Sequence, residues 1–190
     1  MMRYIILNLN TEVSWTKKHI DHGQYSRDEI ELASCIRSTF LLSHNIRKDT
    51  VMTIKPTGLD YEITLFGDEL RYLDASERGI LLLLGRAFSK SVISKTNRMT
   101  PGIERNTKDH WRTMATPSTT TFWYPSQSQK TEKPHSNSNN IFLVDSDTVV
   151  PPKEMLRKCE NLQPFQLPTL QLQPSSAILA FHQYLDREIK

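Results

Sequence analysis

Few residues in this chain have the types and spacing that chemistry needs. Asp145 and Asp147 follow an apolar run, Ile141 to Val144, and two acids one residue apart can open a calcium loop. Such a loop requires Gly at its sixth position and a bidentate Glu at its twelfth, where this chain has Val150 and Leu156, so calcium is excluded. His19 and His22 have a metal-ligand spacing but no second pair to complete a site. No Gly-rich phosphate cradle and no G-x-S-x-G elbow occurs, which removes the usual nucleotide and serine-hydrolase motifs. His182 lies on an apolar helical face, the pattern of a core or interface histidine. The segment Ser43-His44-Asn-Ile-Arg47-Lys48-Asp49 is strongly polar, closes one element and precedes a buried strand. It reads either as a ligand-facing loop of an open α/β sheet or as a plain helix C-cap.

The elements that must position these residues alternate. Tyr4 to Leu9 is a short, apolar, β-branched run and predicts a buried strand. Ser26 and Glu29 form a capping box in front of an apolar stripe reaching Leu42, which predicts a helix. Thr50 to Ile54 and Tyr61 to Phe66 read as strands joined by a turn at Gly58. Asp74 and Glu77 read as a second capping box, opening an apolar helix from Arg78 to Phe88. Ile141 to Val144 is another strand. Pro151 and Pro152 can start a helix with Met155, Leu156, Cys159 and Leu162 on its buried side. Phe165 to Leu172 predicts a final strand with Pro168 at a bulge or edge. Ser175 is placed to cap a last helix with Ile178, Phe181, His182 and Leu185 inward. Strands alternating with helices predict a single α/β layered domain over residues 1–190.

Charge is unevenly distributed. Residues 89–133 carry eight Lys/Arg against three Asp/Glu, whereas residues 1–88 carry eleven against twelve and residues 134–190 five against six. The basic middle is either a phosphate-binding surface or a solvated loop. Within it and just beyond, residues 106–140 are polar and poor in periodicity, apart from a strand-like Thr121 to Tyr124, and read as an insertion open to disorder. The longest apolar run, Ile80 to Leu84, is too short to span a membrane, and the opening residues do not make a signal peptide. Two cysteines, Cys35 and Cys159, make no disulfide framework, so the expected setting is reducing and cytoplasmic.

Phe40-Leu-Leu-Ser-His-Asn-Ile-Arg-Lys-Asp-Thr-Val51 resembles the helix-to-strand signature of the archaeal tRNA pseudouridine-54 N1-methyltransferases, the TrmY family of the SPOUT superfamily. Phe66-Gly-Asp-Glu-Leu-Arg71, Ser76-Glu-Arg78 and Thr100-Pro-Gly-Ile103 follow in the family's order, as do the last 50 residues, from the strand ending at Asp145 to the helix with His182, Leu185 and Asp186. The resemblance implies a SPOUT-type open sheet with helices on both faces, a C-terminal trefoil knot, a homodimer, and S-adenosyl-L-methionine held in the knot. Carried over residue by residue, the cofactor side is Val144, Asp145 and Ser146, Leu167 to Leu172, Ala177, and a loop at Tyr124 and Pro125. The substrate side is His44, Arg47, Lys48, Pro101, Gly102 and Arg105, with the basic middle reaching tRNA phosphates. Asp145 or Asp49 is the implied general base for the N1 proton. Where the family reads Gly-Asp-His this chain has Val144-Asp145-Ser146, and Ala177 stands where the family often has Cys.

Two functions follow from that resemblance. One is methylation of a pseudouridine in the tRNA T-loop. The other is a catalytically diverged relative that binds RNA or a protein partner. No metal is expected in either.

Overall fold

The computed structural model describes residues 2–10, 16–43, 45–71, 73–88, 98–114, 120–127, 131, 133–134, 138–168 and 172–188. Strand β1 (Arg3–Leu9) is followed by a short helix α1 (Lys17–Asp21) and by α2 (Arg27–Phe40). Strands β2 (Thr50–Pro56) and β3 (Tyr61–Phe66) precede α3 (Glu77–Phe88). A hairpin of β4 (Arg98–Thr100) and β5 (Ile103–Thr107) leads through a 3₁₀ turn at His110–Met114 to β6 (Thr120–Ser126). The chain ends with β7 (Asn139–Asp145), α4 (Lys153–Leu156), β8 (Leu162–Gln166) and α5 (Pro174–Glu188).

The strands form one eight-stranded sheet in the order β4-β5-β3-β2-β1-β7-β6-β8. From β2 to β8 all neighbours are parallel, while β3 and the β4–β5 hairpin add an antiparallel wing. Pleating sends alternate residues to opposite faces. On one face Ile5, Leu7, Met52, Ile54, Phe142 and Val144 meet α2, α3 and α5 in the main core. On the other, Ile6, Ile141, Leu143 and Phe122 meet Trp111 of the 3₁₀ turn and Met155 of α4 in a smaller core. The expected α/β sheet is therefore present, with the long helices on one face and short helical turns on the other.

Several predicted boundaries move, each for a local reason. The last strand starts earlier, at Leu162, because β8 takes its register from β6, pairing Tyr124 with Pro164. Past it, Leu167 closes onto the Ser126 carbonyl and Pro168 lies outside the ladder. The helix after Pro152 stops at Leu156, leaving Cys159 and Leu162 to pack on the small core from a loop and from β8. At α3 the cap is Ser76, whose Oγ accepts from the Gly79 amide, while Asp74 folds back onto Ser76. Helix α5 starts one residue before Ser175, at Pro174, and the Ser175 amide is taken by Glu31 of α2. The polar stretch expected over 106–140 contains part of β5, the 3₁₀ turn, β6 and the start of β7. Its tryptophans supply the hydrophobic payload: Trp111 and Trp123 are each 1% exposed.

Candidate active site

Because β2, β1, β7, β6 and β8 run parallel, their C-terminal ends share one edge of the sheet, and the chain changes direction across it at β1. In open α/β sheets that edge, at that reversal, is where ligands bind. Here Asp145 ends β7, buried at 2% exposure, with both carboxylate oxygens engaged. Oδ2 accepts from Asn8 Nδ2 at 2.8 Å and Asn10 Nδ2 at 2.9 Å. Oδ1 accepts from Asn10 Nδ2 at 2.9 Å, the Asp147 amide at 2.9 Å, and the Thr148 amide at 3.1 Å and hydroxyl at 3.3 Å. A carboxylate has about four lone-pair sites, and these contacts fill them. Asn10 extends the network: its amide donates to Ser146 Oγ at 3.1 Å, and its Oδ1 accepts from Thr57 at 3.0 Å. Asp145 thus ties the ends of β1 and β7 together and fixes the Ser146–Thr148 turn. Sequence reasoning missed Asn8 and Asn10. The available signal was a polar Asn8 inside an otherwise apolar strand.

Beside this network lies a cavity of about 340 Å³. Its walls are Ser146 and Asp147 from the turn, Arg27, Asp28 and Glu31 from the first turns of α2, and Leu172, Gln173 and Pro174 at the start of α5. The two helices point their N-termini at it, α2 capped by the reciprocal Ser26–Glu29 hydrogen bonds and α5 beginning at Pro174. Such ends favour anionic groups. Of the expected cofactor-side residues, Ser146 and Leu172 line the cavity. Val144, Leu167 and Ala177 are buried in the main core, so each can offer a ligand only its backbone. The Val144 side chain points into that core and does not wall the cavity. Tyr124 and Pro125 sit at the end of β6, paired with Pro164 and Phe165.

The expected substrate side gathers at the opposite edge. Arg47, Lys48 and Asp49 form the turn into β2, and Pro101 and Gly102 turn the β4–β5 hairpin. They meet through Gly67: its amide donates to the Thr50 carbonyl, and a Cβ there would stand 2.1 Å from the Arg47 carbonyl oxygen. The Gly102 carbonyl (φ 79° at this residue) accepts from the Phe66 amide, and a Cβ there would stand 2.5 Å from the Leu70 nitrogen. Arg3 joins the cluster, 3.1 Å from Asp49 and 2.6 Å from Asp186, and Arg47 lies 3.3 Å from Asp186. His182 is fully buried beneath, with neither ring nitrogen hydrogen-bonded among the described residues. Burial, helped by the charges of Arg47 and Arg3 against Asp186, pulls it down to about 3. Arg105 belongs to neither group: on β5 its guanidinium stacks 3.5 Å from the Tyr61 ring centroid. His44 lies outside the described residues. Seven residues of β1 separate the two edges, about 20 Å. One chain therefore does not bring Asp49 and Asp145 to the same substrate atom.

Among the described residues no group of three or more His, Cys, Asp or Glu could hold a metal, and no helix is long and apolar enough to cross a membrane. His19 bonds Glu29 at 3.1 Å and His22 bonds the Lys18 carbonyl at 2.6 Å, so both serve the α1–α2 corner.

No family model matches the sequence. The chain is 28% identical over 106 residues to a tRNA (pseudouridine(54)-N(1))-methyltransferase of Methanococcus vannielii, a match covering 54% of each protein. A Methanococcus aeolicus protein of the same name is 33% identical over 72 residues, covering 36% of this chain and 35% of its own. The resemblance to these methyltransferases stands. The chain spans about half the length of the curated relatives it matches. The crystal structure of Archaeoglobus fulgidus Nep1 bound to S-adenosylhomocysteine is similar over 98% of this chain and 97% of that one, with a TM-score of 0.61 at 13% identity. That likeness extends the shared fold past the matched half to nearly the whole chain.

Proposed function

We propose that the chain is an S-adenosyl-L-methionine-dependent RNA methyltransferase that modifies N1 of a pseudouridine in the tRNA T-loop. The observation that carries this reading is the cavity at the C-terminal edge of the parallel strands, where Ser146 and Leu172 coincide with the cofactor side implied by the TrmY resemblance. Its size falls within the range of about 300–1,000 Å³ usual for small-ligand sites. The donor set fits a zwitterionic nucleoside. Arg27 can take a carboxylate, Asp28, Asp147 and Glu31 an ammonium or ribose hydroxyls, and Leu172 an apolar ring face. When bound, the cofactor supplies an electrophilic methyl group on a sulfonium.

The chain's residues supply position more than acid–base chemistry. Asp145 holds the Ser146–Thr148 turn against β1, so backbone groups meet the ligand at fixed places. As the implied base, Asp145 takes the N1 proton only if Asn10 or Thr148 turns away first. Asp49 is committed to Arg3 at the far edge.

The remaining features belong to the same proposal. The order β7-β6-β8, with α5 returning past β8 to pack on β7 and α2, supports a C-terminal knot. Exposed Leu179 on α5 and Ile30 on α2, at 46% and 43%, support pairing of two copies through that face. A single domain working in the cytoplasm, where tRNA is modified, completes the reading.

Isothermal titration with S-adenosyl-L-methionine, followed by methyl transfer to a pseudouridine-containing T-arm, tests it. Micromolar binding with label appearing in the RNA is the expected result, and absence of both overturns it. Saturated acceptors on Asp145 favour a second reading, the diverged RNA binder. Cofactor binding without transfer selects that one.

A further inference from the structure

On the sheet face opposite the long helices a polar row crosses five strands near the same C-terminal edge. Register aligns Asp145, Asn8 and Lys55 across β7, β1 and β2, and pairs Glu62 with Asn106 across β3 and β5. The pairing of Ile54 with Ile63 places Glu62 beside Lys55. The row ends under the loop that follows β5, where cations collect. Asp109 Oδ1 accepts from Lys55 at 3.0 Å and its Oδ2 from Lys158 at 3.2 Å. Arg112 and Lys55 both act on the Cys159 thiol, placing the guanidinium in the same group. Lys108 and Arg112 are exposed, and the Lys158 side chain is 42% exposed.

This loop is held rigidly for something that is only a connection. Asp109 adopts a left-handed φ of 63°. The Trp111 amide is taken by Glu62 at 2.5 Å, and the Trp111 ring is buried against Phe122, edge to face at 6.2 Å. Lys55 lies 5.2 Å from the centre of that ring. Lys108 and Arg112 flank the anchored Asp109–Trp111 segment, and Lys158 shares the Asp109 carboxylate with Lys55. Fixed, partly uncompensated cations are what a phosphate backbone needs. The surface lies at the same edge of the sheet as the cavity but on the opposite face, with buried Asp145 between them.

We infer that Lys108, Arg112 and Lys158 form a docking surface for the phosphate backbone of the RNA, beyond the nucleotide being modified, with Glu62 and buried Trp111 holding the loop and Asp109 partly neutralising its cations. The inference rests on the RNA substrate of the proposed function. It moves the polynucleotide contact away from the Arg47–Asp49 turn, because that turn occupies the opposite edge with Asp49 paired to Arg3 and Arg47 to Asp186.

The test is the salt dependence of binding a fluorescent T-arm hairpin, followed by anisotropy. The triple variant Lys108→Gln, Arg112→Gln, Lys158→Gln should weaken binding at least tenfold near physiological salt. It should also flatten the slope of log K against log salt by about 2, at about 0.7–0.9 per lost phosphate contact. A control of similar kind, Lys17→Gln with Lys18→Gln on α1, should change neither. Asp109→Asn, tolerated at a left-handed φ, should tighten binding severalfold, a gain that misfolding cannot produce. An unchanged slope in the triple variant, or no hairpin binding by the wild-type chain, overturns the inference. Titration with S-adenosyl-L-methionine on the same variants separates the two proposals. If the cofactor fails to bind while the charge dependence holds, the methyltransferase reading falls and this surface stands. Intact cofactor binding without charge dependence gives the reverse.

Discussion

At the scale of single residues, the distinction that matters is between a carboxylate that reacts and one that holds. Asp145 was legible as a candidate through the TrmY resemblance and its place at the end of an apolar strand. Its job was not, because the Asn8, Asn10 and Thr148 donors come from distant positions or from the turn it forms. Asp145→Asn keeps the shape but turns an amide donor toward donors. It should cost about 2 kcal/mol by urea denaturation and weaken cofactor binding at least tenfold. A pure base would instead lose turnover with affinity intact. His182 carries the opposite kind of information. Its buried ring, flanked by Arg3, Arg47 and Asp186, is held at about 3 against an ordinary 6.5. The unfolded chain therefore binds the extra proton first. Stability is fully present above about pH 6.5 and is lost progressively as the pH falls from there toward about 3. At pH 5 the loss should be about 2 kcal/mol relative to pH 7. His182→Leu removes a titrating group and two unpaired nitrogens, so it should flatten that part of the acid limb and raise the melting temperature at pH 5. A wild-type melting temperature level between pH 7 and pH 5 would show that His182 does not titrate as its surroundings require.

At the scale of elements, periodicity and caps located most of the frame. The Ser26–Glu29 box was readable because both members lie within four residues, and the structure shows both hydrogen bonds, 3.2 Å and 2.6 Å. Ser76 escaped because an Asp two residues earlier offered the same pattern, and only the fold shows which oxygen meets the Gly79 amide. The β4–β5 hairpin and β6 were harder still. They carry polar residues that the sheet nevertheless buries, Asn106 on β5 and Thr120, Thr121 and Ser126 on β6, and Asn106 bonds Thr64 of neighbouring β3. Polar residues at buried positions defeat an alternation rule. Ser26→Ala deletes the cap of the helix whose first turn walls the cavity. It should cost about 1 kcal/mol in urea and weaken cofactor binding as that turn frays. A stability loss with unaltered affinity would show that the α2 wall does not touch the ligand. Gly67 makes the sharper point: a methyl group there would run into the Arg47 carbonyl, a backbone atom that cannot rotate away. Gly67→Ala should lower stability by about 3 kcal/mol, near the top of the usual range for one substitution.

At the scale of the whole molecule, the sheet puts two groupings of candidate site residues at opposite ends of the same strands. Sequence order gave no hint of this, since a turn before β2 and a turn after β7 are both simply loops. Parallel pairing of β1 with both neighbours decides it, placing Asp49 at the start of one strand and Asp145 at the end of another. The consequence is measurable in one protein with two kinds of variant. Gln173→Ala and Ser146→Ala alter cavity walls and should each weaken S-adenosyl-L-methionine binding about tenfold with little change in melting temperature. Arg47→Ala removes one partner of Asp186 at the far edge, about 20 Å away, and should lower the melting temperature while leaving that affinity unchanged. Sites this far apart with no shared partners act additively, so the Arg47→Ala, Ser146→Ala double variant should show the sum of both effects. If Arg47→Ala instead abolishes cofactor binding, the two edges are coupled, and a second copy of the chain bringing its Arg47 edge to the cavity is the arrangement that would couple them. Repeating the titration over a range of protein concentrations then separates the cases, because only a site shared between copies loses affinity on dilution.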